Sequence, residues 1–206
     1  MHAAPRRAGC AGPAGHLDCL IDEPRTALRG VAVLCHPHPV HGGTMDNKVI
    51  QTLARSFVQL GYRSVRFNFR GVGASQGQWS HGVGEIDDAM AVVQHFREPA
   101  LPLALGGFSF GGYVASQVCA RLAQTAPAER LVLVGPATST FEVANVPDDT
   151  LVIHGETDDV VPLAATLDWA RPQSLPVVVL PGVGHFFHGQ LTRLRSLVTQ
   201  AWGHAA

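Results

Sequence analysis

The residues with the most chemistry in them stand where an apolar run stops. Leu101–Phe108 ends in Gly107-Phe108-Ser109-Phe110-Gly111, which fits G-x-S-x-G. A serine held at a sharp turn from strand to helix presents its hydroxyl beyond the sheet edge. Glycines on both sides remove the side chains that would collide in such a turn. The helix that starts after Ser109 aims its free N–H groups and positive dipole end at the same spot. An oxyanion forming on an attacked carbonyl would be stabilised there. The plainer reading is a glycine-rich turn that packs a helix close to a sheet. The apolar run before Ser109 and the amphipathic run after it favour the chemical one.

A serine hydroxyl needs a base, and the base needs an acid to orient it. Leu151-Val152-Ile153 is followed by His154-Gly155-Glu156-Thr157-Asp158-Asp159-Val160-Val161-Pro162, so carboxylates stand past one apolar run. Val177–Leu180 is followed by Pro181-Gly182-Val183-Gly184-His185, so a histidine stands past the next. The chain order is serine, acid, histidine. Spacing alone leaves Asp158, Asp159 and Glu156 open as the acid, and His188 competes with His185.

These residues can meet only if the runs that carry them lie side by side. Short apolar runs occur at Leu17–Ile21, Val31–Cys35, Ser64–Phe69, Leu101–Phe108, Leu131–Val134, Leu151–Ile153 and Val177–Leu180. They alternate with stretches of helical period at Asn47–Leu60, Glu85–Phe96, Phe110–Leu122, Leu163–Trp169 and Leu191–Trp202. Such alternation predicts the α/β class: a doubly wound, mostly parallel sheet of about seven strands with helices on both faces. Several strands are apolar throughout, as a sheet covered on both sides requires. Chemistry in these sheets sits at the carboxyl ends of the strands, where the serine, the acids and the histidine all fall. Residues 1–14 read as a flexible tail and 15–206 as a single domain, in keeping with a length of 206 residues.

Composition narrows the class of function. Hydrophobic residues make up 46% of the chain and charged ones 15%, which excludes a disordered chain. Fifteen Lys+Arg against 16 Asp+Glu give a formal charge of −1 with no basic run. Neither nucleic acid nor a membrane surface is therefore expected as a partner. No segment reaches the roughly 18 apolar residues of a membrane span. Arg6, Arg7 and Ala8-Gly9-Cys10 look like pieces of an export signal but lack its apolar stretch, so a cytoplasmic location is expected. Cys10, Cys19, Cys35 and Cys119 form no C-x-x-C pair; Cys35 and Cys119 lie in apolar runs and read as small buried hydrophobes.

Gly107–Gly111, the run His154–Pro162 and Gly182-Val183-Gly184-His185-Phe186-Phe187 together resemble the α/β-hydrolase superfamily. His36-Pro37-His38-Pro39, followed by Gly42-Gly43-Thr44-Met45 and Asn47-Lys48, narrows the likeness. So does Phe69-Arg70-Gly71-Val72-Gly73-Ala74-Ser75-Gln76-Gly77. These look like the small lidless hydrolases near the dienelactone-hydrolase and acyl-peptidase branches, over residues 15–204. The resemblance implies Ser109 as nucleophile, Asp158 as the acid and His185 as general base, with His188 on the way into the last helix. It also asks for two backbone N–H groups as an oxyanion hole. One is Phe110, directly after the nucleophile; the other lies in the loop after Val31–Cys35. Pro37 and Pro39 carry no N–H, which points to His38, with Val40 and His41 in reserve.

The expected activity is that of a serine hydrolase cleaving a carboxylic ester or a similar activated acyl bond through an acyl-enzyme. The expected partner is a small-molecule acyl substrate, and no cofactor or metal is implied. A thioesterase or short-peptide hydrolase would use the same triad. A non-catalytic binding protein that kept the fold is the alternative of another class. Oligomeric state is not written in the sequence. Sixteen residues separate Val134 from Leu151, too few for a large lid, so an open, shallow cleft is expected.

Four other signals point to structure. His36, His38 and His41 make H-x-H-x-x-H, but alternate prolines fix the loop and the nearest carboxylate is Asp46. These histidines read as shaping the oxyanion loop. Gly71, Gly73 and Gly77 invite a dinucleotide reading, yet Gly82 and Gly84 keep the chain loop-like until Glu85, so no helix opens on a phosphate. Glu85, Asp87 and Asp88 read as charge at a helix N-terminus, with Arg70 as their ion partner. Trp79, Trp169 and Trp202 read as packing residues.

Overall fold

A strand that is apolar on both sides must be covered twice, and the sheet that results has one helical layer on each face. The structure is a computed structural model that describes residues 4–202. Along the chain run β1 (Arg6–Gly12), β2 (Gly15–Asp22), β3 (Gly30–Cys35), α1 (Lys48–Gln59), β4 (Tyr62–Phe67), α2 (Val83–Phe96) and β5 (Leu103–Phe108). They are followed by α3 (Phe110–Leu122), β6 (Arg130–Val134), β7 (Leu151–Gly155), α4 (Leu163–Ala170), β8 (Val177–Leu180) and α5 (Leu191–Trp202). One sheet holds all the strands in the order β1-β2-β4-β3-β5-β6-β7-β8. Strands β3 to β8 pair in parallel, while β2 runs antiparallel to both β1 and β4.

The period of two decides which core each side chain joins. Val31, Val33 and Cys35 of β3, with Leu103 and Leu105 of β5, face the layer of α2 and α3. Ala32 and Leu34, with Ala104 and Phe108, face the layer of α1 and α5. Helix α1 starts where Asn47 Oδ1 accepts the N–H groups of Val49 and Ile50, which satisfies two donors the helix cannot. Its apolar stripe Val49, Ile50, Leu53 and Phe57 is fully buried against the sheet.

The α/β class holds, with three details corrected. The sheet has eight strands, not about seven, and residues 6–12 are not a flexible tail. They form β1, paired with β2 from Arg6↔Ile21 to Gly12↔Gly15 around the turn at Pro13 and Ala14. The run Arg6–Gly12 hides its inward face because only Ala8 and Cys10 mark it. It is placed by its ladder with β2, and backbone pairing carries no composition signal. The helix expected from Glu85 starts two residues earlier, at Val83. Among the described residues no helix is long and apolar enough to cross a membrane.

Candidate active site

Ser109 joins β5 to α3 with φ 55° and ψ −118°. A non-glycine residue in that conformation is strained by about 1–3 kcal/mol and persists only where its surroundings hold it. They do so here through both peptide groups. The Ser109 N–H donates to Val134 O at 2.9 Å, and Ser109 O accepts from Gly112, Tyr113 and Ala137. The flanking glycines are required by space. A Cβ at Gly107 would lie 2.0 Å from Gly111 O, and one at Gly111 would lie 2.0 Å from Cys35 O.

Asp158 and His185 come together from two different strand ends. His185 Nδ1 donates to Asp158 Oδ2 at 2.7 Å. Both side chains are buried. Asp158 Oδ1 accepts the N–H groups of Val160 and Val161 at 3.0 and 2.8 Å. Burial alone would raise the Asp158 pKa. The hydrogen bonds from His185, Val161 and Val160 outweigh it and hold the carboxyl below its ordinary value, so it is ionised. The other acids are elsewhere: Asp159 is exposed, and exposed Glu156 accepts the Gly182 N–H at 2.7 Å. His188 is exposed and meets no carboxylate among the described residues.

The pair sits against the serine turn. The His185 ring lies 4.8 Å from that of Phe108, the residue before Ser109. Gly135 follows Val134, the acceptor of the Ser109 N–H; a Cβ there would lie 3.5 Å from His185 Nδ1 and from Asp158 Oδ2. No hydrogen bond joins the Ser109 hydroxyl to His185; such bonds often close only once substrate binds.

A third histidine also approaches the acid. His154, fully buried at the end of β7, stands 3.4 Å from Asp158 Oδ2 through Nε2. That nitrogen contacts Val161 O at 2.9 Å, while Nδ1 is buried without a partner. Burial lowers the His154 pKa, so the ring is neutral. Sequence reasoning missed this neighbour, although its position at a strand end four residues before Asp158 was there to be read.

The loop after β3 folds over the serine turn. His36 is fully buried; its Nε2 accepts the Phe69 N–H at 3.1 Å and its Nδ1 donates to Pro37 O at 2.6 Å. The ring ties the loops after β3 and β4 together. Both ring nitrogens are thereby spent on backbone, leaving His36 no lone pair for a metal. The turn Pro39–His41 is 3₁₀, and His41 and Gly43 donate back to His38 O. The N–H groups of His38 and Phe110 have no hydrogen-bond partner among the described residues. Arg70 bonds Asp88 through two guanidinium nitrogens, at 2.8 and 2.9 Å, and Glu85 accepts the N–H groups of Ser80 and Gly82. Those acids are therefore structural.

Two walls flank this centre. On one side the half-buried His38 ring contacts Trp79, Phe110 and Phe141 at centroid distances of 4.7, 5.2 and 6.0 Å. Phe141 comes from residues 135–150, which hold neither helix nor strand and are pinned by Trp169 donating to Val143 O. On the other side, Phe186 projects from the loop of His185 and is 51% exposed. It overlooks a cavity of about 210 Å³ reached by Lys48, Val49, His188 and Leu191.

Comparison with known proteins agrees with this geometry. The serine aminopeptidase (S33) family profile matches residues 37–145, more than half of the chain. An α/β serine hydrolase without lid from Xanthomonas campestris is 36% identical, with a TM-score of 0.88 over 98% of this chain and 94% of that one. An α/β serine hydrolase homologue from Coxiella burnetii is 38% identical, with a TM-score of 0.83 over 97% and 98%. An uncharacterized protein from Rickettsia prowazekii is 29% identical over 192 residues, 85% of this chain and 79% of the other. A strained serine at a strand end, an acid–histidine pair beside it and these likenesses lead to one conclusion: the chain belongs to the α/β-hydrolase superfamily, within the serine aminopeptidase (S33) family.

Proposed function

We propose that the protein is a serine hydrolase that cleaves a carboxylic ester, or a similarly activated acyl bond, through an acyl-enzyme. The observation that carries the reading is the buried 2.7 Å bond between His185 and Asp158 beside the strained Ser109. Asp158 fixes the tautomer of His185 with the proton on Nδ1, so Nε2 is the free base. Nε2 takes the Ser109 proton as Oγ attacks the carbonyl carbon. The N–H groups of Phe110 and His38 receive the negative oxygen, each worth roughly 3–4 kcal/mol at the transition state. The imidazolium returns the proton to the leaving oxygen as the carbonyl–oxygen bond breaks. Water, deprotonated by the same nitrogen, then releases the acid from Ser109.

The family match raises a second reading, removal of residues from short peptides. An amino terminus would need a carboxylate to receive it. That terminus would travel with the acyl group, where the wall is made of the His38, Trp79, Phe110 and Phe141 rings and the adjoining Glu85 is already bonded to the Ser80 and Gly82 N–H groups, which favours the ester reading. The test is covalent labelling with a fluorophosphonate. One label on the wild type, none on Ser109→Ala, and turnover of aryl esters are expected. An unlabelled wild type would leave a binding protein; faster cleavage of amino-acid amides than of matched esters would favour the peptidase.

A further inference from the structure

The side chain of Lys48 has no assigned work in the fold. It is the single lysine of a chain whose other basic positions are all arginine. It is exposed at the first position of α1, and its ammonium has neither hydrogen bond nor ion pair among the described residues. Its neighbour Asp46 is engaged by Arg66 at 3.4 Å. Lys48 opens onto the 210 Å³ cavity between the loop that carries His38 and the loop that carries His185.

The cavity has two kinds of lining. Phe186, Val49 and Leu191 make it apolar; Lys48 and His188 give it N–H donors, and no carboxylate lines it. Phe186 meets the His185 ring at 5.2 Å and the Phe108 ring at 6.4 Å, so the apolar part adjoins the catalytic pair. Beyond Leu191 a second hollow of about 140 Å³ follows the seam of α1 and α5, lined by Arg55 and Arg195 and again by no acid. The positive end of α1 adds to the same field.

Chemistry decides which half of a substrate lies here. The leaving oxygen must sit against His185 to be protonated, so the hollow beside the His185 loop holds the leaving group. The aromatic wall beside the His38 and Phe110 amides holds the acyl group. We infer that this cavity selects a leaving group with an apolar body and an anionic end, a carboxylate or phosphate-type group, held by Lys48. The inference rests on the serine-hydrolase reading and deepens it.

The test compares acetate esters of para-cresol, para-hydroxyphenylacetate and para-hydroxybenzylphosphonate, and the hemisuccinate of para-cresol, which carries its charge on the acyl side. The readout is the ratio of kcat/KM for each anionic ester to that for the neutral one. Lys48→Glu is expected to lower the ratio about fivefold for the anionic leaving groups, with Lys48→Arg restoring it. Added salt should lower it in the wild type. The larger of the two leaving-group effects tells carboxylate from phosphonate. A ratio that Lys48→Glu does not move, or moves only for the hemisuccinate, overturns the assignment while fluorophosphonate labelling of Ser109 stands. Loss of that labelling in the wild type removes both readings.

Discussion

The loops that leave β3 and β8 each carry a buried histidine, and the two rings are used in opposite ways. His36 gives both nitrogens to backbone groups and joins two loops. His185 gives one nitrogen to Asp158 and keeps the other free. Burial is alike; the count of satisfied ring atoms is not. His154 sharpens the lesson. It approaches the same carboxylate oxygen as His185, but its Nε2 meets a carbonyl and its Nδ1 faces no partner. Closeness to an acid does not by itself make a base; in the proposed mechanism the base is the ring that bonds the acid through one nitrogen and has no partner for the other among the described residues.

The largest effect should come from the ring with a free nitrogen. His185→Ala should lower kcat about 10⁴-fold or more for an aryl ester, with an unchanged far-ultraviolet circular dichroism spectrum. A loss below about tenfold would move the base elsewhere. Asp158→Asn comes next, at about 10³–10⁴-fold, because an amide cannot hold the imidazolium or fix its tautomer. His154→Asn, measured in the same assay, should cost less than about tenfold, since His154 contributes no free base.

The structural ring should show itself in stability. Burial holds the pKa of His36 down to about 4 against an unfolded value of about 6.5. Below the unfolded value the unfolded chain binds the extra proton, so stability falls as pH drops from about 6.5 towards 4. Urea unfolding at pH 7 and pH 4.5 should differ by about 2–3 kcal/mol from this group, and His36→Gln should shrink that difference. An equal pH dependence in the variant would deny His36 its part. The smallest effect concerns the turn itself. Ser109→Gly should abolish turnover yet raise unfolding free energy by about 1 kcal/mol, because glycine relieves the strained backbone.

Much of this was legible along the chain. Alternation of apolar runs with helical periods follows from burial on both faces of a sheet, so the class and the positions of β3 to β8 could be read directly. Ser109 was legible because its glycines are imposed by backbone contacts that admit no side chain. Strand β1 was not, because Ala8 and Cys10 mark its buried face too weakly. The second wall was also illegible. Lys48 and Phe186 lie 138 positions apart, and nothing local to either says that they share a hollow.

By itself the amino-acid order determined the layers, the sharp serine turn and the set of groups from which a triad could be drawn. It could do so because each depends on spacing within a few residues or on one repeating period. Only the tertiary structure pairs one acid with one histidine: it buries Asp158 against His185 and leaves Asp159, Glu156 and His188 exposed. That pairing turns on which groups are buried, which nitrogens are already spent and which atoms face one another, and these are properties of packed strand ends, not of any single segment.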